Sequence, residues 1–128
     1  MSKQIIITEK APSPIGPYNQ AVKGGGMLFI SGQVALNPAT GKLIADDIKS
    51  ETHQVMKNLR AIIDEADITF DHVVKTTIFL SDMSLFAEVN EVYGSYFNSD
   101  YPARETVAVK GLPKDANVEI SMIATLNL

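Results

Sequence analysis

A chain of 128 residues is long enough to bury most of one core and too short for two, so a single domain spanning residues 1–128 is expected. With no cysteine it can form neither disulfides nor thiolate metal sites, and thiol catalysis is excluded. A net charge of −4 argues against a broad phosphate-binding face and against nucleic acid as a partner, although one arginine could still hold a small anion.

The opening residues carry three isoleucines, Ile5 to Ile7, but meet Glu9 at once. That is far short of a signal-peptide apolar region, so Lys3 to Thr8 reads as a strand. Ala11-Pro12-Ser13-Pro14-Ile15-Gly16-Pro17 cannot join a ladder and reads as a stiff loop before a second strand, Tyr18 to Lys23. Gly24-Gly25-Gly26 turns the chain into a third, Met27 to Val34, and Asn37 to Lys42 forms another turn. From Asp47 to Ala66, apolar residues Ile48, Val55, Met56, Leu59, Ile62, Ile63 and Ala66 recur at helical spacing, with Asp47 or Ser50 available as N-cap.

The β-branched run Val73 to Leu80 predicts a strand. Ser81-Asp82 caps a second helix whose core stripe is Leu85, Phe86, Val89, Tyr93, Tyr96 and Phe97. Glu105 to Val109 and Val118 to Leu126 are the last strands. Strands with segregated helices fit an α+β fold, a mixed sheet with two helices packed on one face. Phe29 and Ala35 alternate with Leu28, Ile30 and Val34, and Ile123 opposes Val118, Ile120, Met122 and Ala124. Two helices cannot cover both faces, so the second face calls for another copy of the chain, a homo-oligomer.

Alternation places Arg104, Thr106 and Ala108 on one side of their strand, and Glu119 opposite the apolar row of the last strand. The glutamate therefore faces away from the helices, and an arginine, a hydroxyl and a carboxylate are expected to converge there. An arginine fork binds a carboxylate bidentately, and a nearby carboxylate can deprotonate a water, a pairing suited to hydrolysis of a small carboxylic acid. Spacing leaves open whether Arg104 and Glu119 are simply an ion pair. His53 and His72 lack the paired spacing of a metal site or a Ser-His relay and read as ordinary surface histidines. Gly24-Gly25-Gly26 lacks the Lys-Ser/Thr of a phosphate loop.

Pro102-Ala103-Arg104, Leu112-Pro113-Lys114 and Val118-Glu119-Ile120 together resemble the C-terminal signature of the YjgF/Rid family. Ala11-Pro12, Gly16-Pro17-Tyr18-Asn19-Gln20-Ala21, Ile30-Ser31-Gly32-Gln33, the Thr52 to Asn58 helix with Asn58-Leu59, and Phe86 to Asn90 resemble the family's other blocks in order. The resemblance implies a chorismate-mutase-like homotrimer with sites in clefts between subunits. The cytoplasm is the default for a chain without cysteine, and the resemblance implies a deaminase, needing no cofactor or metal, that hydrolyses 2-aminoacrylate and 2-iminobutyrate to 2-keto acids and ammonia. These unstable compounds come from pyridoxal-phosphate dehydratases acting on serine and threonine.

By the same resemblance, Arg104 clamps the substrate carboxylate, and Glu119 positions or activates water with help from Thr106. Tyr18, Ser31, Gly32, Phe86 and Asn90 line the cleft. Two positions depart from the family: Thr106 stands where many members have cysteine, and Glu105 where many have a small residue. Two other functions stay open, a ligand sensor in amino-acid metabolism, such as the branched-chain pathways, and an RNA-cleaving translation inhibitor.

Overall fold

The computed structural model describes residues 2–128. Its strands are β1 (Gln4–Ile6), β2 (Ala21–Gly24), β3 (Met27–Gln33), β4 (Val73–Leu80), β5 (Ala103–Ala108) and β6 (Val118–Thr125). They form one six-stranded sheet in the order β1-β2-β3-β6-β4-β5. Only the β4–β5 pair is parallel; the other neighbours are antiparallel. A parallel neighbour requires a crossover, supplied by the segment that holds the second helix, and β5 is thereby left at an edge of the sheet.

Helix α1 (Ile48–Glu65) starts where Asp47, in extended conformation, accepts a hydrogen bond from Ser50 N at 2.8 Å. Asp47 is the N-cap, as the residue type favours. The predicted stripe is buried: Val55, Met56, Leu59, Ile62 and Ile63 are all 0% exposed. Each such side chain contributes about 1.5–3 kcal/mol of burial free energy. Helix α2 (Phe86–Gly94) is shorter than its stripe implies. Asp82 caps a 3-10 turn, Met83–Leu85, and α2 then begins at Phe86. Tyr96 and Phe97 lie beyond α2 yet still pack against the core, and Val92 is buried beside Val89 and Tyr93.

Both helices cover the face formed by Thr76, Ile78 and Leu80 of β4 and Val118, Ile120 and Met122 of β6. On the other face, Ile5 and Val22 pair across β1 and β2, Val22 pairs with Phe29, and Phe29 with Ile123. Val107 lies on this same face, opposite Phe79. Ile5, Phe29 and Val107 are nearly half exposed there, so the surplus apolar face inferred from alternation is present.

Ala35 departs from that alternation. Ile30 pairs with Met122 but Gln33 pairs with Ile120, so β3 spends three residues where β6 spends two. This β-bulge at Ser31-Gly32 reverses the parity of everything after it. Gln33 and Ala35 therefore turn to the helix side, where Ala35 is 0% exposed. The bulge also ends β3 at Gln33, and β1 and β2 are shorter than predicted, with Tyr18 to Gln20 remaining in the loop.

Candidate functional site

Strand register places Arg104 on the helix side. It pairs with Thr76, which pairs in turn with Met122 of the buried face, and Thr106 follows two residues on, opposite Ile78. Arg104 Nη1 donates to Asn90 Oδ1 at 2.7 Å, and the guanidinium lies over the Phe86 ring at 5.6 Å and the Tyr93 ring at 5.2 Å. Asn90 and Tyr93 are three residues apart in α2 and so share one face of it, and the helix and the edge strand hold the cation between them. Among the described residues Arg104 has no carboxylate partner. An open cleft of about 450 Å³ borders it, lined by Asn90, Tyr93, Gly94, Tyr101 and Pro102.

Tyr93 is legible in sequence only as a core aromatic. Its ring is buried and its phenol is within 2.8 Å of Thr76 Oγ1, with burial pushing its pKa up. One edge of that ring is core and its face is the seat of a cation. Thr106 Oγ1 is buried and has no hydrogen-bond partner. An orphan hydroxyl is uncommon and costs stability, and this one sits two residues from Arg104 on the same side of β5.

Glu119 lies on the other face. It pairs with Phe79, one step out of phase with Ile78 and Leu80, whose neighbours Thr106 and Ala108 face the helices. The convergence of Arg104, Thr106 and Glu119 expected from alternation does not occur within one chain, and they do not form an ion pair. Alternation relates residues inside a strand, whereas sides across strands depend on register.

Around Glu119 the chain gathers Tyr18, Gly32, Pro12, Pro113 and Lys114 about a small, partly open depression of about 60 Å³. Burial raises the carboxyl pKa above its usual 4.5. Gly32 allows this placement, because a methyl group there would lie 2.8 Å from the Glu119 carboxyl carbon and closer still to Oε2. Ser31 Oγ donates to Asn19 O at 2.6 Å, and Ser31 N donates to Gln20 O, tying the bulge to the Tyr18 loop. Buried Gln20 secures that loop further, donating to the carbonyls of Thr8, Ala11 and Pro12 and accepting from Thr8 N.

The eight residues singled out in sequence thus fall into two groups. Arg104, Thr106, Phe86 and Asn90 sit at the β5 edge under α2, and Glu119, Gly32, Ser31 and Tyr18 sit around the bulge. Glu105 faces away from Arg104, and it accepts from Thr77 Oγ1 at 2.7 Å and pairs with Lys75 at 2.9 Å, contacts that hold its pKa low. His53 is exposed against the Tyr96 hydroxyl, and His72 closes a capping box with Thr69. No helix of the described residues is long and apolar enough to cross a membrane.

Arg104 offers a cation free of any carboxylate among the described residues and Glu119 a carboxyl of raised pKa, two separate groups on the opposite faces of an α+β sheet. The chain belongs to the family described as Endoribonuclease L-PSP, which matches residues 8–126 and includes the YjgF and Rid proteins. A RutC family protein of Pyrococcus horikoshii is 49% identical over 95% of this chain and 97% of its own. The chloroplastic Reactive Intermediate Deaminase A of Arabidopsis thaliana is 44% identical over 98% of this chain and 67% of its own. A crystal structure of E. coli TdcF with bound serine superposes with a TM-score of 0.91 at 40% identity, covering 95% of this chain and 98% of that one.

Proposed function

We propose that this protein hydrolyses 2-imino acids, 2-iminobutanoate and 2-iminopropanoate, to 2-keto acids and ammonia, at sites completed between copies of the chain in a homotrimer. The observation that carries the reading is Arg104: a guanidinium aimed by Asn90, seated on two rings and left without a carboxylate, beside a hydroxyl that lacks a partner. That is a receptor for a small carboxylate.

In this reading Arg104 takes the substrate carboxylate and Thr106 Oγ1 adds a hydrogen bond. Glu119, supplied by the neighbouring copy, removes a proton from a water whose oxygen bonds to C2 of the iminium. The resulting carbinolamine receives that proton on nitrogen, and as the C–N bond breaks and ammonia leaves, its hydroxyl returns a proton to the Glu119 carboxylate and the C=O of the 2-keto acid forms. A carboxyl whose pKa is raised by burial is a stronger proton acceptor than an ordinary glutamate, which suits it to take and return a proton. The apolar open face, with Ile5, Phe29 and Val107, is the surface that brings copies together. The Arabidopsis relative named a Reactive Intermediate Deaminase supports the reaction class.

The test is 2-keto acid formation from freshly generated 2-iminobutyrate, with assembly followed by light scattering. Arg104→Ala should lose activity by about 10²–10³-fold, the scale of removing one partner of a desolvated charge contact. An Arg104→Ala protein as active as wild type overturns the reading. Serine bound to TdcF favours a second reading, an amino-acid sensor. Tight ligand binding by an intact assembly that turns nothing over would select it.

A further inference from the structure

Glu51 is 1% exposed, in the first turn of α1, and is no part of either group of site residues. Its Oε2 accepts from Asn117 N at 2.7 Å and its Oε1 from Asn117 Nδ2 at 2.9 Å. The Asn117 side-chain oxygen accepts from Ser81 Oγ at 2.9 Å, and its backbone carbonyl accepts from Ser81 N at 2.9 Å. Every polar atom of Asn117 is thus engaged, by α1 on one side and by the residue following β4 on the other.

Asn117 leads into β6 two residues before Glu119, and Ser81 precedes the turn that starts α2, the helix of Phe86 and Asn90. The loop leading into Asn117 is strained: Lys114 and Asp115 have φ of 61° and 55°, a left-handed conformation unfavourable for side chains with a Cβ. Pro113 and Lys114 of that loop wall the Glu119 depression. A buried carboxylate costs stability unless it is fully hydrogen-bonded, and here both oxygens bind one residue at the junction of both groups.

We propose that Glu51 is a positioning residue, which through Asn117 fixes the start of β6 and so holds Glu119 at the reacting carbon of the site that it completes on the neighbouring copy. The inference rests on Glu119 being the base of the proposed hydrolysis. The donor and acceptor pattern around Glu51 supplies the test. Glu51→Gln has one acceptor oxygen for two donors, and Asn117→Asp sets a carboxylate against Glu51. Combined, the two substitutions exchange acid and amide: the new glutamine accepts from the backbone N–H of position 117 and donates to the new aspartate, whose other oxygen accepts from Ser81.

The experiment measures kcat and KM for 2-iminobutyrate at a temperature where each protein is folded, and follows the Glu119 titration by carboxyl carbon NMR. Either single substitution is expected to lower kcat about tenfold or more, since small misplacements of a reacting group cost up to ~10²-fold, with KM little changed. The Glu119 pKa should fall toward its usual value, and the double substitution should restore both. Unchanged kcat in folded Glu51→Gln, or a double variant no better than the singles, overturns the proposal. A wild-type protein with no turnover removes the hydrolase reading instead, and the NMR titration then decides the role of Glu51: an unaltered Glu119 pKa in Glu51→Gln refutes it.

Discussion

Arg104 and Glu119 stand on opposite faces of one sheet, Arg104 in register with Thr76 on the helix side and Glu119 in register with Phe79 on the open side. A ligand held by Arg104 is therefore out of reach of the same chain's Glu119, and a carboxylate reaches it only if a second copy brings its own glutamate to the β5 edge. Each proposed site is then an arrangement between chains, and its parts can be tested separately.

Glu119 carries a signature in stability as well as in rate. Its raised pKa comes from burial, so the folded state favours the protonated form. The benefit of that protonation is present below the ordinary glutamate pKa and is lost as pH rises through the higher folded value. Glu119→Gln should therefore melt above wild type at neutral pH, with the gap closing in acid, while hydrolysis disappears. Thermal melts across pH 3–8 check the first outcome and the 2-keto acid assay the second.

Gly32→Ala should separate rate from folding. The added methyl meets the far end of the Glu119 side chain and not backbone, so the carboxylate can swing aside. The melting temperature should move little, while kcat drops about 10²-fold for a base displaced by an ångström or so. Equal losses of folded fraction and activity would show that the glycine serves the bulge alone.

How much of this is legible in sequence depends on whether a pattern is local. Val73 to Leu80 and the α1 stripe from Val55 to Ile63 can be assigned correctly because consecutive residues carry the periodicity. The side of the sheet taken by Arg104 cannot, because it depends on β5 crossing to the far edge and pairing Thr76 with Arg104. Alternation misplaces Ala35 because of one extra residue at Ser31-Gly32, which no periodicity reveals. Glu51 and Asn117 look like helix-start and loop polar residues in sequence, and only packing brings the half-buried Asn117 onto the buried Glu51 carboxylate. The grouping of Tyr18, Gly32 and Glu119 comes from the family resemblance and not from spacing.

Thr106→Val removes the orphan hydroxyl while keeping the shape of the side chain. Deleting an unsatisfied buried polar group is neutral or stabilising by about 1 kcal/mol, so the melting temperature should hold or rise. The KM for 2-iminobutyrate should increase, and Thr106→Ser should leave it near wild type. Steady-state kinetics beside calorimetry distinguishes this from a packing role, in which Thr106→Val would leave KM unchanged and Thr106→Ser, which loses the methyl group, would destabilise.

The open face offers a test of assembly. Phe29 and Val107 are 47% and 45% exposed on a face that also carries Ile5 and Ile123, and a charge there would be buried unpaired in any complex that covers them. Val107→Asp should dissociate the assembly without unfolding the chain and abolish hydrolysis with it. Light scattering and far-ultraviolet dichroism on the same sample read both; a folded, active monomer would place the whole site within one chain.

Subunit mixing makes the sharpest demand on the two-chain site. Arg104→Ala keeps a working Glu119 group, and Glu119→Gln keeps a working Arg104 group; each protein alone has no complete site. In a ring of three, any mixed trimer has one junction where an intact arginine half meets an intact glutamate half. Random reassembly of equal amounts makes about three-quarters of the trimers mixed, with one site in three alive, so activity should recover to about a quarter of wild type. The two inactive proteins are unfolded together in denaturant, refolded and assayed for 2-keto acid release, with each refolded alone as the control. Recovery near that level requires Arg104 and Glu119 of one site to come from different chains, whereas no recovery from well-assembled mixed trimers would mean that a single chain must supply both.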